Sequence, residues 1–204
     1  MSLPNSLTIL RIFLTPLFVV LLASDSSLQR QFSVIVYLVA ALTDWYDGWI
    51  ARKYRSMSRW GKFLDPLADK ILSSAALFTF VALGLIDAWM VWVIVSRDVV
   101  ITVLRSYGEW TDHPIVTSKS AQAKTFGEFI VIWYILLLHV AGSVPIIRYE
   151  FSGTLGVLMD PQALFGMMLL VTISSVATGI MYCIDNRRFL SDLYASASGR
   201  SGSR

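Results

Sequence analysis

Four aspartates stand close together early in the chain: Asp44 and Asp47, then Asp65 and Asp69. The first pair opens the segment Asp44-Trp-Tyr-Asp47-Gly48-Trp-Ile-Ala51-Arg52. Wound as a helix, this segment brings Asp44, Asp47, Gly48 and Ala51 onto one stripe about 100° wide. Two carboxylates then share a face with two residues that have almost no side chain. The second pair is spaced i, i+4, again one helical face, and Pro66 suits the first turn of that helix. Two antiparallel helices joined by a short loop would pool all four carboxylates. Left bare, such a group repels itself. Divalent cations resolve the repulsion, and donors that are all oxygen suit hard ions such as Mg²⁺ or Mn²⁺. Mg²⁺ also shares its shell with substrate phosphates. Gly48 and Ala51 would give a bulky ligand clearance against the backbone, and Arg52 with the basic residues after it would help hold an anion. Ion pairing between helices, or small-residue packing, accounts for any one of these positions but not for the joint pattern.

The elements that carry this cluster are apolar. Of 204 residues, 55% are hydrophobic and only 15% charged, with mean hydropathy +0.62. Soluble domains carry about 25% charged residues, so the composition excludes a disordered chain, a disulfide mini-protein and most soluble enzymes. The net charge of +3 is small for a nucleic-acid binder. The single cysteine, Cys183, has no partner for an internal disulfide and is expected to pack as a small apolar residue. Uncharged runs at 129–147 and 161–184 are long enough to cross a bilayer core, which takes about 20 residues. They contain no chemical signal and are expected to be scaffold. Four earlier runs, 7–24, 31–50, 65–86 and 88–107, are each interrupted by charge. Ionised groups at membrane depth normally face a polar cavity or a partner, so these four spans should surround a wet site. Arg11 and the lack of a small-residue cleavage site argue that the first run is a span, not a removable signal.

Orientation follows from Lys and Arg. Arg52, Lys53, Arg55, Arg59, Lys62, Arg105, Lys119, Lys124, Arg187, Arg188, Arg200 and Arg204 fall on one side, against Arg30 and Arg148 on the other. The expected architecture is therefore an all-α polytopic membrane protein. It has six transmembrane helices, both termini cytoplasmic, and a polar cavity facing the cytoplasm. Residues 1–194 form one membrane domain and 195–204, rich in Ser, Gly and Arg, a disordered tail. Trp45, Trp60, Trp89 and Trp110 near span ends fit interfacial anchoring. His113 reads as a loop residue and His139 as a hydrogen-bonding residue between helices.

The full run from Asp44 to Asp69, D-x2-D-G-x2-A-R-x8-G-x3-D-x3-D, resembles the motif of the CDP-alcohol phosphotransferases. Six membrane helices also suit that family over the whole chain. The resemblance implies that Asp44, Asp47 and Asp65 hold two divalent ions and that Asp69 is the general base, with metal contact of its own. It implies that Gly48, Ala51, Arg52 and Gly61 line the CDP moiety and that Ser58 faces the nucleotide. Pro4-Asn5-Ser6-Leu7-Thr8-Ile-Leu-Arg11 is similar to a family opening segment near the same ligand, which adds Asn5 and Thr8 to the CDP-lipid set. Asn5 reads equally well as a helix N-cap. The implied reaction is in-line displacement. A base-activated alcohol attacks the lipid-bearing phosphorus of CDP-diacylglycerol and CMP leaves. No Cys, Ser or His is placed as a covalent nucleophile.

The acceptor must be read from the second half. Ser96-Arg97-Asp98-Val-Val-Ile-Thr-Val-Leu104-Arg105 resembles the R-E-x5-L-R segment of the family's phosphatidylglycerophosphate synthase branch, with Asp98 in place of Glu. Ala123-Lys124-Thr125 resembles its K-x-K-T segment, with Gln122 in place of the first lysine. Arg97, Arg105, Lys124 and Thr125 are the acceptor residues this implies, with glycerol 3-phosphate, a small dianion, as acceptor. Two arginines eight residues apart on a helix lie about 12 Å apart, a spacing compatible with a basic phosphate cavity. Topology accounts equally for Arg105 and Lys124, and an ion pair with a local carboxylate such as Asp98 accounts for Arg97. Implied partners are CDP-diacylglycerol, glycerol 3-phosphate and membrane lipid, with no nucleic acid. The resemblance also implies a homodimer in a bacterial-type inner or plasma membrane, with the active site on the cytoplasmic side. The alternative acceptors are inositol phosphate, serine or phosphatidylglycerol. A cation transporter, with the aspartates as an ion-coupling site, is a reading from another class, but it would place the carboxylates near mid-membrane. A non-catalytic scaffold has no need of four clustered carboxylates.

Overall fold

The computed structural model describes the backbone of residues 3–54, 59–110, 119–187, 189 and 191, and the side chains of residues 9–43, 46, 70–108, 122–187, 189 and 191. Every described element is an α-helix: α1 (Leu3–Leu22), α2 (Ser27–Tyr54), α3 (Arg59–Ala82), α4 (Ala88–Trp110), α5 (Lys119–Ser143), α6 (Pro145–Glu150), α7 (Ser152–Leu158) and α8 (Pro161–Asp185). Six of them have 20 to 28 residues. At about 1.5 Å per residue each reaches the ~30 Å of a hydrocarbon core. They occur where the six apolar runs fall. By length and composition, Gln122–Ser143 and the stretch Ser152–Asp185, which contains α7 and α8, satisfy the requirement for a membrane crossing outright. Among the described residues, the apolar stretches of α1 and α3 are Ile9–Leu22 and Lys70–Ala82.

Local chemistry sets the ends. α3 stops at Gly84, whose φ of +71° only glycine adopts without strain. Its N–H donates to the Val81 carbonyl at 2.9 Å, and the Leu85 N–H reaches back to the Phe80 carbonyl at 2.9 Å. This pair of bonds satisfies the last carbonyls of the helix. α8 begins on Asp160, whose carboxylate accepts from the backbone N–H of Gln162 and Ala163 at 3.0 and 3.1 Å, with Pro161 following. Inside α1, Pro16 removes one backbone donor, and nearby the Thr15 hydroxyl donates to the Arg11 carbonyl at 2.9 Å. Hydroxyls of this kind let membrane helices tolerate proline.

Three boundaries differ from expectation. The run 129–147 is not one helix. Val144, before Pro145, is extended, as the proline ring demands of its predecessor, and α6 starts anew. α3 starts six residues before Asp65, so Pro66 lies inside the helix and not in its first turn. α1 starts at Leu3, so Asn5 is a helical residue and not an N-cap.

α1 lies along both α2 and α3, α3 packs on α4, α4 on α8, and α5 on α2, α3 and α8. The packed interior is zoned along the bundle. Phe18, Leu22, Leu77, Phe80, Met90, Ile94, Leu136, Leu164 and Met168 fill the half near the α1–α2 and α3–α4 turns. Beyond them the buried residues turn polar: Arg11, Asp98, Ser106, Lys124, Glu128, Thr172, Ser175 and Thr178. The outside is apolar, with Phe13, Val20, Leu28, Trp92, Val100, Phe126, Leu170 and Ile173 all more than half exposed. Continuous apolar surface on this scale belongs in lipid, and the chain is a membrane protein. Cys183, expected to be buried, is exposed on α8, where lipid offers an apolar environment as good as a core.

A Cβ at Gly84 would meet no atom within 4 Å. Gly84→Ala should therefore cost only the backbone strain of a left-handed residue, about 1–2 kcal/mol. Gly166→Ala, helical and equally unobstructed, should not destabilise. Thermal unfolding of both variants in detergent micelles checks this; equal melting temperatures would contradict it.

Candidate active site

The continuous backbone of α2 through Tyr54 places positions 44, 47, 48 and 51 on one face of that helix. The continuous backbone of α3 places positions 61, 65 and 69 in line, one turn apart. Position 52 follows on α2, and positions 5 and 8 lie in the first turns of α1. The side chains of Asn5, Thr8, Asp44, Asp47, Gly48, Ala51, Arg52, Gly61, Asp65 and Asp69 lie outside the described residues, as does Ser58 altogether. α1 runs against both aspartate-bearing helices, and its Arg11 is wholly buried. A guanidinium at that depth requires anionic or hydrogen-bonding partners around it.

The described part of the site is built on a symmetry of the α3–α4 hairpin. Lys70 precedes Gly84 by as many residues as Asp98 follows it, so antiparallel helices bring the two to the same level. There Lys70 Nζ donates to Asp98 Oδ2 at 3.0 Å. Lys124 of α5 donates to both Asp98 oxygens at 2.8 Å and to Glu128 Oε2, one turn along α5, at 2.7 Å. Arg97 Nη1 donates to Asp98 Oδ1 at 2.8 Å. Adjacent helical residues do not face each other, but the long arginine side chain curls back to reach its neighbour. Asp98 is only 3% exposed, and its two oxygens accept four bonds from three cations, which fills their lone pairs.

α8 closes the other side. Arg97 Nη2 donates to Thr178 Oγ1 at 2.8 Å, and the Thr178 hydroxyl in turn donates to the Ser174 carbonyl at 2.7 Å. A Cβ at Gly179 would come within 3.2 Å of Arg97 Cγ, so the glycine clears the path for this side chain. Tyr107 of α4 meets Phe189 beyond α8, ring centroids 6.5 Å apart. Rising together in number, these contacts show that α4 and α8 run parallel.

Of the four expected acceptor residues, Arg97 and Lys124 meet at Asp98, whereas Arg105 and Thr125 have exposed side chains further along their helices. Arg97 does make the local ion pair that sequence left as its alternative reading. Lys70, Glu128 and Thr178 were not singled out. A lysine and a glutamate spaced i, i+4 just before an uncharged run could have flagged Glu128. Nothing in the α8 run marks Thr178 or Gly179, and α8 is not the pure scaffold its composition suggests. Among the described residues no three His, Cys, Asp or Glu side chains gather into a metal site. By ligand chemistry the all-oxygen aspartate quartet suits hard divalent ions, with positions 44 and 47 on one face of α2 and 65 and 69 on one face of α3.

A family model described as CDP-alcohol phosphatidyltransferase matches residues 1–154. A CDP-diacylglycerol–glycerol-3-phosphate 3-phosphatidyltransferase of Bacillus subtilis is 38% identical over 150 residues, covering 68% of this chain and 77% of the relative. Proteins of the same name from Rickettsia typhi and Salmonella typhimurium are 32% and 29% identical, covering 70% and 66% of this chain and 79% and 76% of the relatives. α8 lies beyond the matched residues, yet it supplies the groups that steer Arg97.

Asp98→Asn strips the shared counter-charge from three cations. Removing one member of a buried ionic group costs about 3–5 kcal/mol, so a marked fall in melting temperature is expected, with Asp98→Glu recovering most of it. An Asp98→Asn protein as stable as the parent in the same micelles would show that the network is not formed.

Proposed function

The chain belongs to the CDP-alcohol phosphatidyltransferase family, and on that footing we propose that this membrane enzyme moves the phosphatidyl group of CDP-diacylglycerol to glycerol 3-phosphate and releases CMP. The observation that carries this reading is the level at which α3, α4 and α5 are fastened. Lys70, next in the chain to Asp69, is bonded to Asp98, and Asp98 also binds Arg97 and Lys124. The α3 turn that bears the base thus adjoins the basic groups suited to an acceptor phosphate. The names of the bacterial relatives support glycerol 3-phosphate as that acceptor.

Each part of the chain has a task in this scheme. Asp44, Asp47, Asp65 and Asp69 would hold the divalent cations, Mg²⁺ or Mn²⁺, with two as the expected number. When bound, these ions supply positive charge against the pyrophosphate and the departing CMP. Gly48, Ala51 and Gly61 leave room for the CDP moiety along α2 and α3. Asn5, Thr8, Arg52 and Ser58 bound it. Arg97 and Arg105 on α4, with Lys124 and Thr125 on α5, form the acceptor side, where a planar guanidinium suits a phosphate monoester. Asp69 takes the proton from the acceptor hydroxyl; that oxygen attacks the lipid-bearing phosphorus and the bond to CMP breaks in line. The scheme places all six long helices across the membrane, with residues 1–194 as one domain and the site on the cytoplasmic side of a bacterial-type inner or plasma membrane. It assigns the chain to a homodimer. Residues 195–204, expected as a tail, lie outside the described residues.

Purified protein given CDP-diacylglycerol and a panel of alcohols should release CMP with glycerol 3-phosphate, and EDTA should stop it. Release only with inositol phosphate, serine or phosphatidylglycerol would overturn the acceptor; EDTA-resistant release would overturn the metal assignment. Asp69→Asn should lose turnover while still binding CDP-diacylglycerol, and normal turnover in that variant would remove Asp69 from the mechanism.

A further inference from the structure

An ammonium has three N–H donors, and in Lys124 three carboxylate oxygens take them: Asp98 Oδ1, Asp98 Oδ2 and Glu128 Oε2. The Lys124 side chain is 1% exposed. To touch an acceptor phosphate it would have to leave one of these carboxylates behind, buried and charged, which is unfavourable in a low-dielectric interior. Arg97 is placed differently. Its side chain retains 15% exposure; its Nε is buried without a hydrogen-bond partner among the described residues, so the second N–H of each terminal nitrogen is what it can offer a ligand. Its two terminal nitrogens are anchored, one to Asp98 and one to Thr178.

We infer that Lys124 serves the acceptor site by position and not by contact: with Glu128 it clamps Asp98, and the clamped carboxylate sets the direction of Arg97 and the level of Lys70. This inference rests on the proposed phosphatidyl transfer to glycerol 3-phosphate and narrows its acceptor set. Lys124 and Glu128 are positioning residues, and Arg97 is the group left to meet the phosphate. Charge supports the division. Among the described residues, Lys70, Arg97 and Lys124 face Asp98 and Glu128, a surplus of one positive charge that suits an anionic acceptor. Thr178 and Gly179 act from the opposite side, the first by accepting from Nη2 and the second by clearing the side chain's path.

The test compares Lys124→Met and Glu128→Gln in CMP release, with separate KM values for glycerol 3-phosphate and CDP-diacylglycerol. Positioning predicts an approximately tenfold rise in the glycerol 3-phosphate KM for Lys124→Met, with the CDP-diacylglycerol KM unmoved. It predicts a rise for Glu128→Gln as well, because Lys124 then loses one of the bonds that hold it at Asp98. Direct contact predicts the reverse for Glu128→Gln: a donor is freed and the acceptor KM falls. A fall or no change in Glu128→Gln, or an unmoved acceptor KM in Lys124→Met, overturns the inference. Should Lys124→Met fail to accumulate as folded protein, Glu128→Gln decides by the direction of its KM change. Failure of the underlying reading shows separately, because the parent enzyme would then release no CMP in response to glycerol 3-phosphate.

Discussion

A carboxylate sealed inside a membrane bundle has to be neutralised where it stands. Asp98 meets that demand with Lys70 from α3, Arg97 from its own helix and Lys124 from α5. Transfer of a bare charge to such an environment is unfavourable by many kcal/mol, so these contacts are not interchangeable with packing. They fix the axial register of three helices at one level. Ridges and grooves alone would allow a helix to slide by a turn, but an ionic junction of this kind would not. The register matters because Asp69 immediately precedes Lys70. Whatever holds Lys70 at the level of Arg97 also holds the turn that carries the proposed base.

The division of the interior follows from the same constraint. Near the turn at Gly84 the helices bury Leu77, Phe80, Met90 and Ile94, which need only lipid or one another. Further along, buried charged or hydroxylated residues come from α1, α4, α5 and α8. The inner face of α8 shows the change within one element: Leu164, Met168 and Val171 give way to Thr172, Ser175 and Thr178. The Thr172 and Thr178 hydroxyls bond back to their own helix and remain available as acceptors, which is how Thr178 receives Arg97. The family match ends at residue 154, so α8 contributes to the orientation of Arg97 from a part of the chain the match does not reach.

Much of this was open to inspection in the residue order. The positions of six long helices follow from apolar runs, because the bilayer imposes a length that the sequence must obey. The aspartate stripe follows from helical periodicity, and α2 and α3 are continuous helices through it. Helix ends were harder to place. Pro145 divides an uncharged run that hydropathy reads as unbroken, while Pro66 sits within α3 without ending it. Hydropathy carries no term for backbone sterics, and membrane helices forgive proline selectively. The ionic junction was hidden for another reason. Lys70, Asp98 and Lys124 are distant in sequence and meet only because the α3–α4 hairpin is symmetric about Gly84 and α5 packs on α3. The Arg97–Asp98 pair is one of the two readings the sequence offers for Arg97, whereas the bonds from Lys70 and Lys124 to Asp98 emerge only when the helices are docked.

The most direct test of this account is the dipolar coupling between lysine side-chain nitrogens and the Asp98 carboxylate carbon, measured by solid-state NMR on isotopically labelled protein in lipid bilayers. The account predicts close coupling to two lysine nitrogens, one lost in Lys70→Met and the other in Lys124→Met. Absence of coupling to either lysine would contradict the shared counter-charge and the helix register that depends on it.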